Sequence, residues 1–305
     1  MVGPTASGKT ALAVALAERF GGEIVNADSR QFYLGMDIGT AKPTAGERAR
    51  AVHHLIDVAD PDETCGLAWF LDRAHAVIAT IRARRALPIV CGGTSQYVRA
   101  LLEGWEVPRV PPDPALRARL EARVASDGVA ALHTELADLD HEAAMRVDDR
   151  NPRRVIRALE IALSGGARER STVRREPIDR ALVLGISLER TELYGRIDQR
   201  VDAMFEAGLV EEVRSLEASG RGCSSFAFDA IGYREVCDLL RGELTLEEAR
   251  SRTKLATHRL ARTQSAWFRR SDPRITWLSA GPDLEERAIA VTEAFLAGSP
   301  CRQRE

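Results

Sequence analysis

The chain has 305 residues, of which 45% are hydrophobic and 29% are charged, and its formal net charge is −2. This composition is typical of globular proteins, so neither long disorder nor a fibrous repeat is expected. With no run of about 18 apolar residues, we expect no membrane-spanning helix, and we also expect no signal peptide before the first motif. The five cysteines are scattered and form no C-x-x-C pair, so we expect neither a zinc site nor a disulfide framework, and a cytoplasmic location.

A glycine-rich motif lies close to the start of the chain. Residues 3–10 match G-x-x-x-x-G-K-[ST] in full, and an apolar helical pattern follows at 12–16. The glycines let backbone N–H groups surround an anion, and the helix adds its positive end. The lysine reaches an outer phosphate and the last hydroxyl suits Mg²⁺. The residues predicted to bind phosphate are Gly3, Pro4, Thr5, Ala6, Ser7, Gly8, Lys9 and Thr10, with Thr10 also on the metal.

The strand expected before this motif is missing, because only Met1 and Val2 precede Gly3. Either the first strand is truncated in this chain, or the start lies downstream of the true one. The sequence leaves both explanations open. A sheet without its central strand is expected to be poorly stable.

Strands and helices alternate over much of the chain. Short apolar strands are predicted at 24–25, 87–91, 181–186 and 275–278, and longer helices at 67–84 and 191–219. This alternation predicts a parallel α/β sheet flanked by helices.

The pattern changes between residues 105 and 180. Prolines come first, followed by amphipathic helices predicted at 114–126, 128–138 and 152–164, with no obvious strand; residues 168–176 are polar. We therefore predict an α/β core formed by residues 1–104 and 181–305, interrupted by a helical insertion domain at 105–180.

Asp28 follows the first predicted strand. In an open α/β sheet the carboxyl ends of the strands line the ligand crevice, so this carboxylate is expected near the glycine-rich motif. There it would bind Mg²⁺ or accept a proton. The alternative is a turn cap made together with Ser29. The strand before Gly92 ends in Cys91 rather than in the acid that ATPases usually carry.

Two basic stretches interrupt an otherwise acidic chain. Residues 150–180 carry a local charge of +5 and residues 250–274 carry +7. Such stretches suggest contacts with a polyanion. Because arginine is preferred over lysine throughout the chain, an ordinary solvated surface is the alternative.

Several motifs occur in a characteristic order. They are residues 3–10, D-S-R-Q-F-Y at 28–33, M-D-I-G-T-A-K-P at 36–43, G-G-T-S-Q-Y at 92–97, N-P-R-R at 151–154, R-A-L-E at 157–160 and I-G-Y-R-E at 231–235. Together they resemble the tRNA dimethylallyltransferase family, the tRNA isopentenyltransferases. The resemblance extends over residues 2–270 and implies a P-loop NTPase-like fold.

The resemblance also implies a reaction. Members of this family move a dimethylallyl group from dimethylallyl diphosphate to N6 of the adenosine at tRNA position 37, beside the anticodon. Residues 3–10 would then hold a diphosphate, with Lys9, Thr10 and Mg²⁺ stabilising the leaving group. Asp28 matches the general base, and Thr94 a residue of the catalytic centre. Arg200 matches an arginine that clamps the diphosphate; the alternative is a solvated helix face on which it pairs with Asp198 or Asp202.

By the same resemblance, the anticodon stem-loop of tRNA is the expected partner, with the adenine flipped out of its stack. The residues implied to contact tRNA are Asp28, Ser29, Arg30, Gln31, Thr94, Arg117, Arg153, Arg154, Val155, Ile156, Arg157, Asp229, Ala230, Ile231, Gly232, Tyr233 and Arg234. The departures from the family pattern are Arg30, Arg153, Asp229, His258 and Thr263, which put individual tRNA contacts in doubt. We expect a monomer.

Three other functions stay open at this point. A prenyltransferase acting on a free adenine nucleotide would use the same phosphate loop and base. A small-molecule P-loop kinase would turn over nucleotide and bind no tRNA. A non-catalytic RNA-binding protein would not need Lys9 or Asp28.

Overall fold

A computed structural model describes residues 1–105, 107–108, 110, 113–164 and 180–298. The described residues of Met1–Glu103 and of Pro177–Glu305 form one compact unit, here the core unit. Those of Gly104–Glu176 form a second, here the insertion unit. The boundaries predicted from the sequence lie within four residues of this division. The polar stretch at 168–176 lies outside the described residues.

Helices make up most of the described chain. In order they are α1 (Lys9–Phe20), α2 (Ala45–Arg50), α3 (Leu67–Ala83), α4 (Ser95–Glu103), α5 (Pro114–Asp127), α6 (Val129–Leu139), α7 (His141–Arg146), α8 (Pro152–Leu163), α9 (Arg190–Glu206), α10 (Leu209–Ala218), α11 (Tyr233–Leu240), α12 (Leu246–Trp267) and α13 (Leu284–Leu296). The helix predicted over 191–219 is two helices, α9 and α10, because Gly208 between them has a positive φ of 99°.

The strands of the core unit are all parallel. β1 (Gly22–Asn26) lies between β2 (His53–His54) and β3 (Leu87–Cys91), and Asn26 pairs with Cys91 at the carboxyl ends. β4 (Val183–Ser187) pairs with β5 (Ile275–Ser279) in a separate two-stranded sheet. The predicted parallel α/β sheet with flanking helices is therefore confirmed. β2 is too short to leave a pattern and was not predicted.

Met1 and Val2 lie between the two sheets. The amino group of Met1 donates to the Val90 carbonyl of β3 over 2.6 Å. On the other side, Val2 N–H donates to the Leu184 carbonyl of β4 over 2.8 Å, and Val2 forms a parallel bridge with Gly185. These two residues therefore occupy the place between β3 and β4 where the strand before the glycine-rich motif is expected.

Helix α1 contacts β1, β3 and α13. Residues 12–17 of α1 are all buried because the helix is packed on several sides, and this explains why the segment is apolar all round. The helix starts after Gly8, whose φ of 90° favours glycine. This start places the positive end of α1 directly behind the phosphate-binding motif. The core around α1 contains Leu12, Val14, Leu16, Ile24, Ile89, Leu184, Ile186 and Leu278.

The insertion unit is helical, as predicted, over α5–α8, although α7 was not foreseen. Asp113 and Asn151 cap α5 and α8 with their side chains, and a proline starts each of these helices. The core of the unit is formed by Leu120, Leu132, Leu136, Ala144, Val155, Ile156 and Leu159. The apolar positions of the predicted amphipathic helices are the side chains buried in this core.

The structure corrects the expectation about cysteines. Cys223 and Cys237 form a disulfide between the turn before α11 and α11 itself. Their fourteen-residue separation is no recognised motif, and only the fold brings their Cα atoms to 5.8 Å. Cys65 and Cys91 are free and buried, and Cys301 lies outside the described residues. Within the described part of the chain, no helix is long and apolar enough to cross a membrane.

Candidate active site

The glycine-rich motif forms a loop closed by its own lysine. Lys9 Nζ donates to the carbonyl oxygens of Gly3 over 3.0 Å and of Pro4 over 2.6 Å. Burial lowers the pKa of Lys9 to about 8. A bound diphosphate would restore the full charge of this lysine, because an adjacent anion favours the protonated form.

A cavity of about 180 Å³ opens over this loop and is called here the phosphate cavity. Its walls combine the loop and the start of α1 with residues from other parts of the core unit. They include Thr5, Ala6, Ser7, Gly8, Lys9, Thr10, Asp28, Gln31 and Arg200. The residues predicted to bind phosphate therefore line it, with Gly3 and Pro4 behind them as acceptors for Lys9.

A second, larger cavity of about 420 Å³ adjoins it and is called here the acceptor cavity. Its walls include Ser29, Arg30, Thr94, Asp229, Ala230, Ile231 and residues of α12. Thr5, Asp28, Thr40, Ala41, Gly93 and Arg200 line both cavities. A group held in one cavity therefore meets a group held in the other beside Asp28.

Asp28 is held rigidly in this shared wall. Its Oδ1 accepts the Arg30 N–H over 3.0 Å, and its backbone is bound to the side chain of Asn26. Burial raises the pKa of Asp28, although the Arg30 N–H and the charge of Lys9 oppose the shift. The turn predicted as the alternative role is present through Arg30 N–H. Asp28 also lines both cavities, so this turn does not exclude the predicted role toward a ligand, which stays a prediction.

Thr94 and Gln31 fix the loops around Asp28. Thr94 Oγ1 accepts the Ser29 N–H over 2.9 Å and donates to Ser29 Oγ over 3.1 Å. Gln31 Nε2 donates to the carbonyl oxygens of Thr40 and Ala41, each over 3.1 Å. The structure thus brings three separate motifs, at 28–33, 36–43 and 92–97, to one place.

Arg200 lies at the mouth of both cavities. Its Nη1 is 3.5 Å from Thr5 Oγ1 of the phosphate loop. Of the acids proposed as alternative partners, Asp202 pairs with Lys254 over 2.7 Å, and Asp198 Oδ1 lies 2.9 Å from His258 Nε2. The role of Arg200 as a diphosphate clamp stays a prediction, supported by its position beside Thr5 in the wall of both cavities.

The candidate tRNA residues of the insertion unit fall into two groups. Arg153 and Arg154 are exposed at the start of α8. By contrast, Val155 and Ile156 are buried in the helical core, and Arg117 and Arg157 bind the buried Glu160 over 2.8 and 3.0 Å. Contact of this segment with tRNA stays a prediction, with Arg153 and Arg154 the side chains free to make it.

The segment at 229–234 also divides. Asp229, Ala230 and Ile231 line the acceptor cavity. Tyr233 is fully buried, and its hydroxyl donates to Glu212 over 2.5 Å. Gly232 N–H donates to Glu235. Asp229 is an acid that departs from the family pattern. The guanidinium of Arg234 lies 3.7 Å from it and offsets its negative charge.

Sequence reasoning missed three polar groups that hold the site: Lys42 and Gln264 are buried, and Glu212 is half-buried. Glu212 accepts the N–H groups of Asp37 and Ile38 over 3.0 and 2.8 Å. Lys42 Nζ donates to the Tyr33 carbonyl and pairs with Asp37 and Asp57. Gln264 binds two loops of the cavities. Lys42 was recognisable within its motif, whereas Glu212 and Gln264 stand on amphipathic helices that give no local signal.

Two models of known protein families match this sequence. A model described as IPP transferase matches residues 31–271, and one described as isopentenyl transferase matches residues 1–55. The chain belongs to the IPP transferase family.

Its similarity to individual family members extends over nearly the whole chain. It is 53% identical over 271 residues to a tRNA dimethylallyltransferase of Thermomicrobium roseum, covering 88% of this chain and 82% of that one. It is 49% identical over 287 residues to a tRNA dimethylallyltransferase of Chloroflexus aurantiacus, covering 94% and 97%.

Two solved structures share the fold of this IPP transferase. The full-length tRNA isopentenylpyrophosphate transferase of Bacillus halodurans is 41% identical, with a TM-score of 0.69 and coverage of 97% of this chain and 94% of that one. A eukaryotic dimethylallyltransferase acting on tRNA is 27% identical, with a TM-score of 0.80 and coverage of 99% and 80%. The similarity to these two structures supports the P-loop NTPase-like fold that was expected from the resemblance.

Proposed function

We propose that this protein transfers the dimethylallyl group of dimethylallyl diphosphate to N6 of adenosine 37 in tRNA and releases diphosphate. The observation that carries the proposal is the position of Asp28 in the wall shared by the phosphate and acceptor cavities. A prenyl diphosphate in one cavity and an adenine in the other would meet at this carboxylate.

The diphosphate end of the reaction belongs to the phosphate cavity. Backbone N–H groups of residues 6–10, together with the side chains of Lys9 and Arg200, would place positive charge around the leaving group. This charge stabilises the diphosphate as its bond to carbon 1 of the prenyl group breaks. Lys9 Nζ donates to the Gly3 and Pro4 carbonyls, and because an ammonium group has three donors, one is left for the diphosphate.

Mg²⁺ fits the donor set of this cavity. Thr10 supplies a hydroxyl. Among the described residues, no group of three or more His, Cys, Asp or Glu side chains is arranged to hold a metal ion by itself. Mg²⁺ commonly keeps waters and substrate phosphate oxygens and needs few protein ligands. When bound, it supplies further positive charge to the departing diphosphate.

The acceptor end belongs to Asp28 and Thr94. An exocyclic adenine amine is weakly nucleophilic, so alignment and proton removal both matter. Asp28 accepts the N6 proton as the amine attacks carbon 1, and its raised pKa suits a general base. Thr94 holds Ser29 and thereby the backbone next to this base.

The substrate proposed is a tRNA anticodon stem-loop. Exposed arginines at the start of α8 and along α12 would bind its phosphates, which gives an affinity that falls with salt. The side chains concerned are Arg153, Arg154, Arg252, Arg259 and Arg262. The kinase alternative is disfavoured because β3 ends in Cys91 and family membership points elsewhere.

A transfer assay tests the proposal. The protein is given labelled dimethylallyl diphosphate, Mg²⁺ and either unmodified tRNA or AMP. We expect label in tRNA, located on N6 of adenosine 37 by nuclease digestion, and a loss of at least about 100-fold with Asp28→Asn. Glu293→Gln, which alters a surface acid paired with Arg19, is the matched control and keeps full activity.

Each other outcome contradicts a part of the proposal. Label in AMP alone assigns the protein to free nucleotides. Label at another tRNA position corrects the site of transfer. Full activity of Asp28→Asn removes Asp28 as the base.

A further inference from the structure

Gln264 connects the loops of the two cavities through a single side chain. Its Oε1 accepts the Thr5 N–H of the phosphate loop over 2.7 Å, and its Nε2 donates to the Gly93 carbonyl over 2.7 Å. The residue stands near the end of α12 and is only 4% exposed. Both poles of the amide are therefore engaged, away from water, by backbone groups far apart in sequence.

The chemistry of this bridge requires an amide. One loop presents an N–H donor and the other presents a carbonyl acceptor, so the linking group must accept at one end and donate at the other. Glutamine does both at neutral pH, whereas glutamate accepts only and methionine binds neither group strongly. Leaving Thr5 N–H or the Gly93 carbonyl without a partner costs more than the bond itself contributes.

Both anchored loops carry parts of the reaction. Thr5 lines both cavities and lies beside Arg200. Gly93 packs against Asp28, and a Cβ added to Gly93 would lie 2.6 Å from Asp28 Oδ2 and 3.1 Å from Gln264 Nε2. The amide of Gln264 and the carboxylate of Asp28 therefore both lie on the side of Gly93 to which a Cβ would project.

We propose that Gln264 is a positioning residue for prenyl transfer, and that its amide holds the phosphate loop and the Asp28–Gly93 contact at the separation the reaction needs. This inference rests on the proposed function. Gln264 also lines the acceptor cavity, but both ends of its amide are bonded to Thr5 and Gly93, and it acts through these two residues. A shift of about 1 Å between two reacting groups lowers a rate by up to about 100-fold, so a small change in this bridge is measurable.

The test compares Gln264→Glu and Gln264→Met with the wild-type protein in the tRNA transfer assay. We expect kcat to fall about 10- to 100-fold in both, while KM for dimethylallyl diphosphate changes by less than about 3-fold. Gln264→Glu also places a negative charge beside Asp28, which raises the pKa of that carboxylate. The acid limb of its kcat/KM profile therefore moves to higher pH, whereas that of Gln264→Met does not move in this direction.

Thr292→Val is the matched control. Thr292 is also buried and donates a hydroxyl hydrogen bond, to Ala288 within α13, but it lines neither cavity. It is expected to lower the melting temperature like the Gln264 variants while keeping wild-type kcat.

Two results overturn the inference. One is a wild-type kcat in folded Gln264→Met; the other is an unshifted pH profile in Gln264→Glu. Failure of the proposed function looks different, because the wild-type protein itself then leaves tRNA unlabelled. In that case the bridge is read from amide hydrogen exchange of Thr5, whose N–H is bound by Gln264, and equal protection of this N–H in wild type and Gln264→Met rejects the bridge.

Discussion

Asp28 and Gly93 are packed so tightly that a methyl group on Gly93 would lie 2.6 Å from the carboxylate oxygen Oδ2. The glycine is therefore needed for close approach of the loop after β3 to the carboxylate after β1. This contact sets the direction of Asp28 at the boundary of the two cavities.

Gly93→Ala is expected to displace Asp28 and to lower kcat by about 10- to 100-fold with little change in secondary structure. Steady-state transfer kinetics measure the effect. Gly66→Ala is the control, since a Cβ there meets nothing within 4 Å and the backbone is extended. Equal activity of the two variants would show that the carboxylate is not constrained by Gly93.

The buried Lys9 predicts a pH dependence of diphosphate binding. Because its pKa is about 8 in the free protein, the charged form is complete below that pH and is lost as pH rises through it. The affinity for inorganic diphosphate should therefore fall by up to about tenfold per pH unit above about pH 8. Isothermal titration between about pH 6.5 and about pH 10 measures it, and Lys9→Met should bind weakly at every pH. A flat profile in the wild type contradicts this assignment.

Replacing Glu212 is expected to lower the stability of the protein, whereas replacing its neighbour Glu211 is not. It accepts backbone N–H groups of the loop at 37–39 and the Tyr233 hydroxyl. In Glu212→Gln an amide group faces these donors, so we expect a loss of about 1–3 kcal/mol in the free energy of unfolding. The KM for the tRNA acceptor should rise as well, since Gly39 and Thr40 line the acceptor cavity. Denaturant unfolding of Glu211→Gln, an exposed neighbour, should match the wild type.

The Cys223–Cys237 disulfide predicts sensitivity to reductant. It closes a short loop just before and within α11. Reduction, or Cys223→Ser, is expected to lower the free energy of unfolding by roughly 2–3 kcal/mol, as for loops of this size. Thermal melts with and without reductant measure the change. In Cys223→Ser the reductant should have no further effect, and a wild-type melt unaffected by reductant contradicts the prediction.

The local motifs can be recognised from the sequence alone because they depend on neighbouring residues. A glycine-rich run followed by an apolar helix predicts an anion-binding loop. Asp28 lies two residues after the end of β1, so any parallel sheet brings it to the carboxyl edge. The helices of the insertion unit likewise follow from apolar residues at helical spacing. The two-residue strand β2 has no such spacing and was missed.

Only the tertiary structure decided how the motifs support each other. Gln264 is 171 residues from Gly93, and Glu212 is 175 residues from Asp37, so no local pattern connects them. The same holds for Tyr233, which the motif suggests is a tRNA contact but which is buried against Glu212. Buried polar groups must find partners, and which partners they find depends on the packing of the whole core unit rather than on sequence neighbours.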